Sequence, residues 1–358
     1  MSSMEIERKQ MKSNGEQIIA EFMTEDDDFL RRLHQRLSSL FSDVNKTATL
    51  SAEEIRSHLN DLPTRDDPRW LNDFLLATFY DPRWLYGDGF AFLHRGDTAL
   101  PADTHHNLIA LWTKVCIHAL GLANDPTIGR LLPRGRARRF ASLPLVECCF
   151  GPGIRKAGGP TAERMQFMST SLQSAFSRLA TQCNLSSHPQ MVVVGGGFDA
   201  GSLRDHIPSG TKSFELDLPE VVEAKNRMLQ RYAAEFPEEA QRVPTLAGIN
   251  LLHSVPSEIL QSLVGWDSKA PKVFVIEAVL SYLPSERRGA ILRDVVCLMN
   301  HCERAILVLW DELEDLGHTG AEDPVVYANE ALNLLGLTAL TLVTPKKQFA
   351  MCLAEIKK

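Results

Sequence analysis

The stretch from residue 190 onward predicts an α/β fold, and three observations carry that prediction. Short apolar runs follow one another: "MVVVGG" (191–196), "SFELDLP" (213–219), "TLAGINLL" (245–252), "KVFVIEAVL" (272–280) and "RAILVLW" (304–310). Helical stretches separate most of them, which argues for βαβ units and a mostly parallel sheet. The chain then closes on "LTALTLV" (337–343) and "QFAMCLAEI" (348–356), joined by "TPKK". So short a link forces an antiparallel hairpin. The prediction is therefore a Rossmann-like, seven-stranded, mostly parallel sheet with a C-terminal antiparallel hairpin, preceded by an N-terminal helical extension.

Taken from the N-terminus, residues 1–62 read as polar, charge-mixed helices forming a helical or partly mobile extension. Within them "TATLSAEEIRSHL" carries a helix-start signal, Ser51 or Thr49 ahead of Glu53 and Glu54. Residues 63–185 read as a helical cap on the substrate side, and 186–358 as the core. The cap region holds the string DPRWL at 67–71 and again at 81–85, too few copies for a repeat architecture. It also holds predicted helices at 105–121 and 161–183. In the second, Met165, Met168, Leu172, Phe176 and Leu179 recur at helical spacing. In the core, helices are expected at 219–236, 255–264, 284–299 and near 323–335.

Composition narrows the function classes. With 358 residues, 44% hydrophobic and 23% charged, the chain has room for one large domain or a core with an added segment. A net charge of -7 argues against nucleic acid as the main partner. The cysteines are odd in number and lack CxxC spacing, so neither a disulfide framework nor a metal site is expected. The start, "MSSMEIERKQMKSNGEQ", is too polar for a signal peptide, and no run approaches the roughly 20 apolar residues of a membrane span. No membrane partner and a cytoplasmic location are the expectation.

The sharpest local signal is the first apolar run, which stops on Gly195, Gly196 and Gly197 with Asp199 and Arg204 just beyond. Glycines there let something approach closer than a Cβ atom allows. In an open α/β sheet, ligands sit beyond the carboxyl ends of the strands, where strand order reverses. About twenty residues on, the second run ends in Asp217, placed to accept hydrogen bonds from ribose hydroxyls. A nucleoside-bearing cofactor is indicated. The spacing Gly195-x-Gly197-x-x-x-Gly201 is out of step with the dinucleotide pattern, and Asp199 would set negative charge near phosphates. S-adenosyl-L-methionine carries no phosphate to repel. An NAD-dependent oxidoreductase ranks lower for these reasons and for want of a Tyr-x-x-x-Lys pair.

The succession "GGGFDAGSLRD", "FELDLPEVVEAK", "AGINLL" and "VIEAVLSYLP" resembles the leucine carboxyl methyltransferase family of class I S-adenosylmethionine-dependent methyltransferases. The resemblance covers residues 150–343 and reaches back weakly to "ATFYDPRWL" at 77–85. It implies that Gly195 and Gly197 floor the methionine part of S-adenosyl-L-methionine and that Asp217 takes the ribose hydroxyls. Asn250 and Leu251, ending the third strand, would frame the adenine. The family usually has aspartate at the first of these, so the amide bond should be weaker here. Glu277 would sit at the cofactor's amino or sulfonium end, and Arg164, in "PGIRKAGGPTAER", would pair with its carboxylate. A lone glutamate inside "VFVIEAVL" also calls for a partner on physical grounds, if it is buried. Tyr282, in "LSYLP", would lie near the acceptor and orient it.

The implied activity is O-methylation of a carboxylate, either a small acid or a protein C-terminus. A carboxylate is already a nucleophile, whereas a small-molecule hydroxyl would need a general base. His206 and His253 flank strand ends as minor candidates for that role. The basic run Arg134, Arg136, Arg138 and Arg139 would suit an acidic substrate. Two departures cut the other way. The family's lysine ahead of the "YDP" turn is missing from "LNDFLLATF" at 71–79, with Arg65 or Arg69 as substitutes. The segment after the fifth strand is also compact where protein-carboxyl methyltransferases carry a long insertion. The compact segment makes a small-molecule acceptor credible, while the missing lysine and Asn250 motivate a second hypothesis, a non-catalytic binding or regulatory protein that kept the fold.

Overall fold

The computed structural model describes residues 105–131, 159–183, 188–313, 323–346 and 349–357. The expected extension at 1–62, the DPRWL strings, the 71–79 stretch and the basic run at 134–139 lie outside those residues. Two compact units are present, Met1–Ala162 and Glu163–Lys358. In the first, α1 (His105–Ala119) buries Leu111, Val115, Cys116 and Ile117. It stops at Gly121, whose φ of 68° ends the helix in the left-handed region that favours glycine.

The second unit takes in most of α2 (Gly159–Gln182) and the whole sheet. Its strands are β1 (Gln190–Val194), β2 (Lys212–Asp217), β3 (Thr245–Gly248), β4 (Lys272–Glu277), β5 (Ala305–Glu312), β6 (Leu337–Lys346) and β7 (Phe349–Ile356). They lie in the order β3-β2-β1-β4-β5-β7-β6. The first five run parallel, while β7 pairs antiparallel with both β5 and β6. The sheet predicted from the apolar runs is therefore present, hairpin included. Strand order reverses between β1 and β4, which are hydrogen-bonded neighbours from Gln190↔Lys272 to Val194↔Ile276.

Alternation along the strands explains the layering. Val192, Val194, Phe214, Leu216, Phe274, Ile276, Leu307 and Leu309 face one side, packed with Ile291, Leu292, Val295 and Met299 of α5 (Ser285–His301). Met191, Val193, Val273, Val275, Ile306 and Val308 face the other, packed with Met168, Leu172, Phe176 and Leu179 of α2. Both faces of the central strands are covered, which is why these runs are apolar throughout rather than alternating. Proline opens α3 (Pro219–Glu235), α4 (Pro256–Leu260) and α6 (Pro324–Leu334), where its missing N–H goes unused. Asp323 caps α6 by accepting from the Val325 N–H at 2.8 Å.

Two local expectations change. The helix expected at 255–264 is the five-residue α4, after which the chain turns through Gly265 at φ 86°. The third strand ends at Gly248, so Asn250 and Leu251 lie in the turn beyond it. The reason is local: the Asn250 carbonyl oxygen of the backbone accepts from both His253 and Ser254 N–H groups, which folds the chain back. The glycines lead into a single 3-10 turn, Gly201–Leu203.

Candidate active site

The C-terminal ends of β1 and β4 meet where strand order reverses, the place in an open α/β sheet that leaves a crevice. Gly195 and Gly197 follow β1 with φ of 72° and 48°, left-handed conformations that favour glycine. The Gly195 N–H donates to the Leu216 carbonyl at 2.8 Å, tying the turn to β2. Gly197 N–H donates to Oδ2 of Asp217 at 2.6 Å, and Leu218 N–H donates to Oδ1 at 2.7 Å. So the turn and the carboxylate singled out from the sequence are joined directly. Ile249 N–H donates to the Asp217 carbonyl at 2.7 Å, which brings the Asn250 turn alongside.

What comes close to Gly195 is the protein itself. A Cβ there would lie 2.4 Å from Cγ2 and 2.5 Å from Cβ of Val279, in the turn after β4. Gly195→Ala therefore meets a branched side chain that has no flexible end to give way, on top of a left-handed backbone costing about 1–2 kcal/mol. The expected result is a melting temperature lowered by roughly 4–8 °C, measured by thermal unfolding.

The turn after β4 is held by a residue the sequence reading did not single out. Asp311, fully buried near the end of β5, accepts at Oδ2 from the Val279 and Leu280 N–H groups, both at 2.7 Å. Its Oδ1 accepts from Ser281 N–H at 3.0 Å. Ala278, just before, takes φ 52° and donates its N–H to the Trp310 carbonyl at 2.9 Å. Tyr282 closes this turn, 62% exposed, with its N–H donating to the Val279 carbonyl at 3.2 Å. In the sequence Asp311 is only the acidic residue after the apolar run "LVLW", and nothing in that string points to the backbone groups it holds.

Arg164, near the start of α2, reaches Glu277, the last residue of β4, with Nε 3.1 Å from Oε1. The Trp310 ring lies under the guanidinium, 4.8 Å from its carbon to the ring centroid. The glutamate that stood out in an apolar run thus has its partner. Asn250 Oδ1 accepts from Leu252 N–H at 3.0 Å, Leu251 is buried, and Arg287 clamps this segment by donating to the Leu251 and Ser254 carbonyls at 2.9 and 2.7 Å. His253 is exposed, and His206 is half-buried beyond the 3-10 turn. Asp199 and Arg204 form an ion pair at 3.0 Å.

Under the glycine turn lies a buried charge pair. Lys225 of α3 and Glu215 of β2 form a short contact, Ser202 Oγ donates to Glu215 Oε1 at 2.8 Å, and Lys225 Nζ approaches the Gly196 carbonyl at 3.5 Å. Burial pushes the Cys352 thiol up to about 12 and Cys116 higher still, which keeps both protonated and inert. No group of three His, Cys, Asp or Glu among the described residues is arranged to hold a metal. No helix among them is long and apolar enough to cross a membrane.

A sheet of this order, with its last strand antiparallel and its polar residues gathered at the strand ends, is of the class I methyltransferase kind. A family model described as leucine carboxyl methyltransferase matches residues 110–296, just over half of the chain. The chain belongs to the leucine carboxyl methyltransferase family. It is 31% identical over 109 residues to a protein of Mycobacteroides abscessus, a match covering 30% of this chain and 33% of that one. It is likewise 31% identical over 139 residues to one of Mycolicibacterium smegmatis, covering 37% and 43%. Both are provisionally named S-adenosyl-L-methionine-dependent methyltransferases. The match thus spans only about a third to two-fifths of the length of such curated relatives. Among solved structures, an O-methyltransferase family protein from Burkholderia thailandensis aligns over 95% of this chain and 98% of its own at 12% identity, with a TM-score of 0.38.

Proposed function

We propose that this protein is an S-adenosyl-L-methionine-dependent O-methyltransferase and that its acceptor is a carboxylate, on a small acid or a protein C-terminus. The observation that carries the proposal is the joined pair of glycine turn and Asp217 at the switch point, a bare backbone beside a strand-end carboxylate. The residues present fit the cofactor. A fixed cation and a fixed anion 3.1 Å apart, Arg164 and Glu277, complement the two charges of an α-amino acid. Asp217 retains acceptor capacity for ribose hydroxyls, since a carboxylate has about four lone-pair sites. Gly195 and Gly197 supply the floor, and Asn250 and Leu251 the adenine side.

When bound, S-adenosyl-L-methionine supplies an electrophilic methyl group on its sulfonium. The protein's part is then to bind, align and exclude water. Tyr282, exposed on the turn fixed by Asp311, is the residue proposed to orient the acceptor. Family membership and the engagement of both strand-end carboxylates support a carboxylate acceptor. Asp217 already accepts two backbone N–H groups and Glu277 faces Arg164, so neither is set up to take a proton from a hydroxyl. A pre-ionised acceptor needs no such base. The expected cellular setting is cytoplasmic, with no nucleic-acid or membrane partner.

The test is incubation with methyl-labelled S-adenosyl-L-methionine and a panel of small acids and peptides with free C-termini. A product that releases labelled methanol in alkali is the expected outcome. A base-stable product points to a hydroxyl acceptor, and no transfer together with no cofactor binding overturns the proposal.

A further inference from the structure

We infer that Asp311 is a positioning residue for the methionine end of the cofactor site, acting through the turn after β4 and not by touching ligand. The inference rests on the cofactor assignment above. Three consecutive backbone N–H groups converge on one fully buried carboxylate, at 2.7, 2.7 and 3.0 Å. Bonds to an ionised acceptor are the strong ones, and three on one side chain fix the path of the turn. That path is not one the chain takes unaided, because Ala278 sits at φ 52°.

What the turn carries decides the consequence. Its first residue follows Glu277 directly, so the turn anchors the chain at the end of β4, where the Glu277 carboxylate meets Arg164. Trp310, which lies against the Arg164 guanidinium, precedes Asp311 on β5 and accepts the Ala278 N–H through its carbonyl. Val279 lies in the space a Cβ of Gly195 would need, so the same turn also braces the glycine floor. One buried carboxylate therefore registers Glu277, Arg164 and Gly195 together. The adenosine side shares only the glycine turn with this assembly, through Gly197 N–H on Asp217, and its other supports lie elsewhere: Leu218 N–H on Asp217, Leu252 N–H on Asn250, and Arg287 on the Leu251 carbonyl. None of those contacts passes through Asp311.

That separation gives a test a scaffold role would fail. The full-length protein and its Asp311→Asn variant are titrated with S-adenosylhomocysteine and, by competition, with adenosine. Asparagine keeps the shape but turns one acceptor oxygen into a donor facing a backbone N–H. The expected result is S-adenosylhomocysteine affinity weakened about tenfold, with adenosine affinity changed less than about twofold and stoichiometry retained. Equal weakening of both ligands, or no weakening of either, overturns the inference. If the unmodified protein binds neither ligand, the cofactor assignment itself fails and the inference falls with it. Should the variant fold poorly, amide exchange on the unmodified protein decides: Val279, Leu280 and Ser281 must be strongly protected, and exchange at unstructured rates overturns the inference.

Discussion

Lys225→Met is expected to lower the stability of the sheet-bearing unit by about 3–5 kcal/mol, because it strands the Glu215 carboxylate inside the protein. Both partners are almost fully buried, at 3% exposure each. Ser202 Oγ supplies one hydrogen bond to Glu215, at 2.8 Å, which is too little to solvate an ion. For a unit of this size the loss translates into a melting temperature lower by roughly 6–20 °C. The double variant Glu215→Gln/Lys225→Met should recover a large part of it, since removing both charges leaves no ion to desolvate. A single variant that melts within about 2 °C of the parent would show that Glu215 is not left as an uncompensated buried charge. The consequence for the site is direct. A Cβ at Gly196 would be 3.1 Å from Glu215 Oε2, and Lys225 Nζ is 3.5 Å from the Gly196 carbonyl. The pair is the platform under the glycine turn, so its loss should weaken cofactor binding even in the fraction that folds.

That platform marks the limit of what the residues alone revealed. The sheet was legible because burial on both faces forces apolar runs, and a four-residue link forces a hairpin. That the turn and Asp217 belong together was legible because three successive glycines end one apolar run and an acid closes the next. Contacts between residues far apart in sequence leave no such mark. Glu215 lies in "FELD" near Asp217, and nothing in that string says which carboxylate faces a lysine ten positions on and which takes the glycine turn's N–H. Asp311 accepts from backbone 30 to 32 positions earlier, and backbone donors have no residue type to notice. The end of β3 was misplaced for a related reason. "AGINLL" reads as a continuous apolar strand, but both the backbone and side-chain oxygens of Asn250 accept from later N–H groups and fold the chain over. The residue expected to end the strand is the one that stops it early.

The largest effect expected at the site itself comes from Asp217→Ala. Removing the carboxylate proposed to accept from ribose hydroxyls should forfeit about 1.5–3 kcal/mol, or roughly a 10- to 150-fold loss of S-adenosylhomocysteine affinity by calorimetry. The same substitution also strips the acceptor from Gly197 N–H at 2.6 Å and Leu218 N–H at 2.7 Å. Weaker binding alone would thus follow even if Asp217 only braced the turn. A ligand-side cut separates the two roles. Adenosine should compete better than 2′,3′-dideoxyadenosine for the unmodified protein, because only the former offers hydroxyls to the carboxylate. Against Asp217→Ala the two should compete alike. If the unmodified protein fails to prefer the hydroxylated ligand, Asp217 is a brace and not a ribose acceptor. A preference that survives in the variant would assign the hydroxyls to another group.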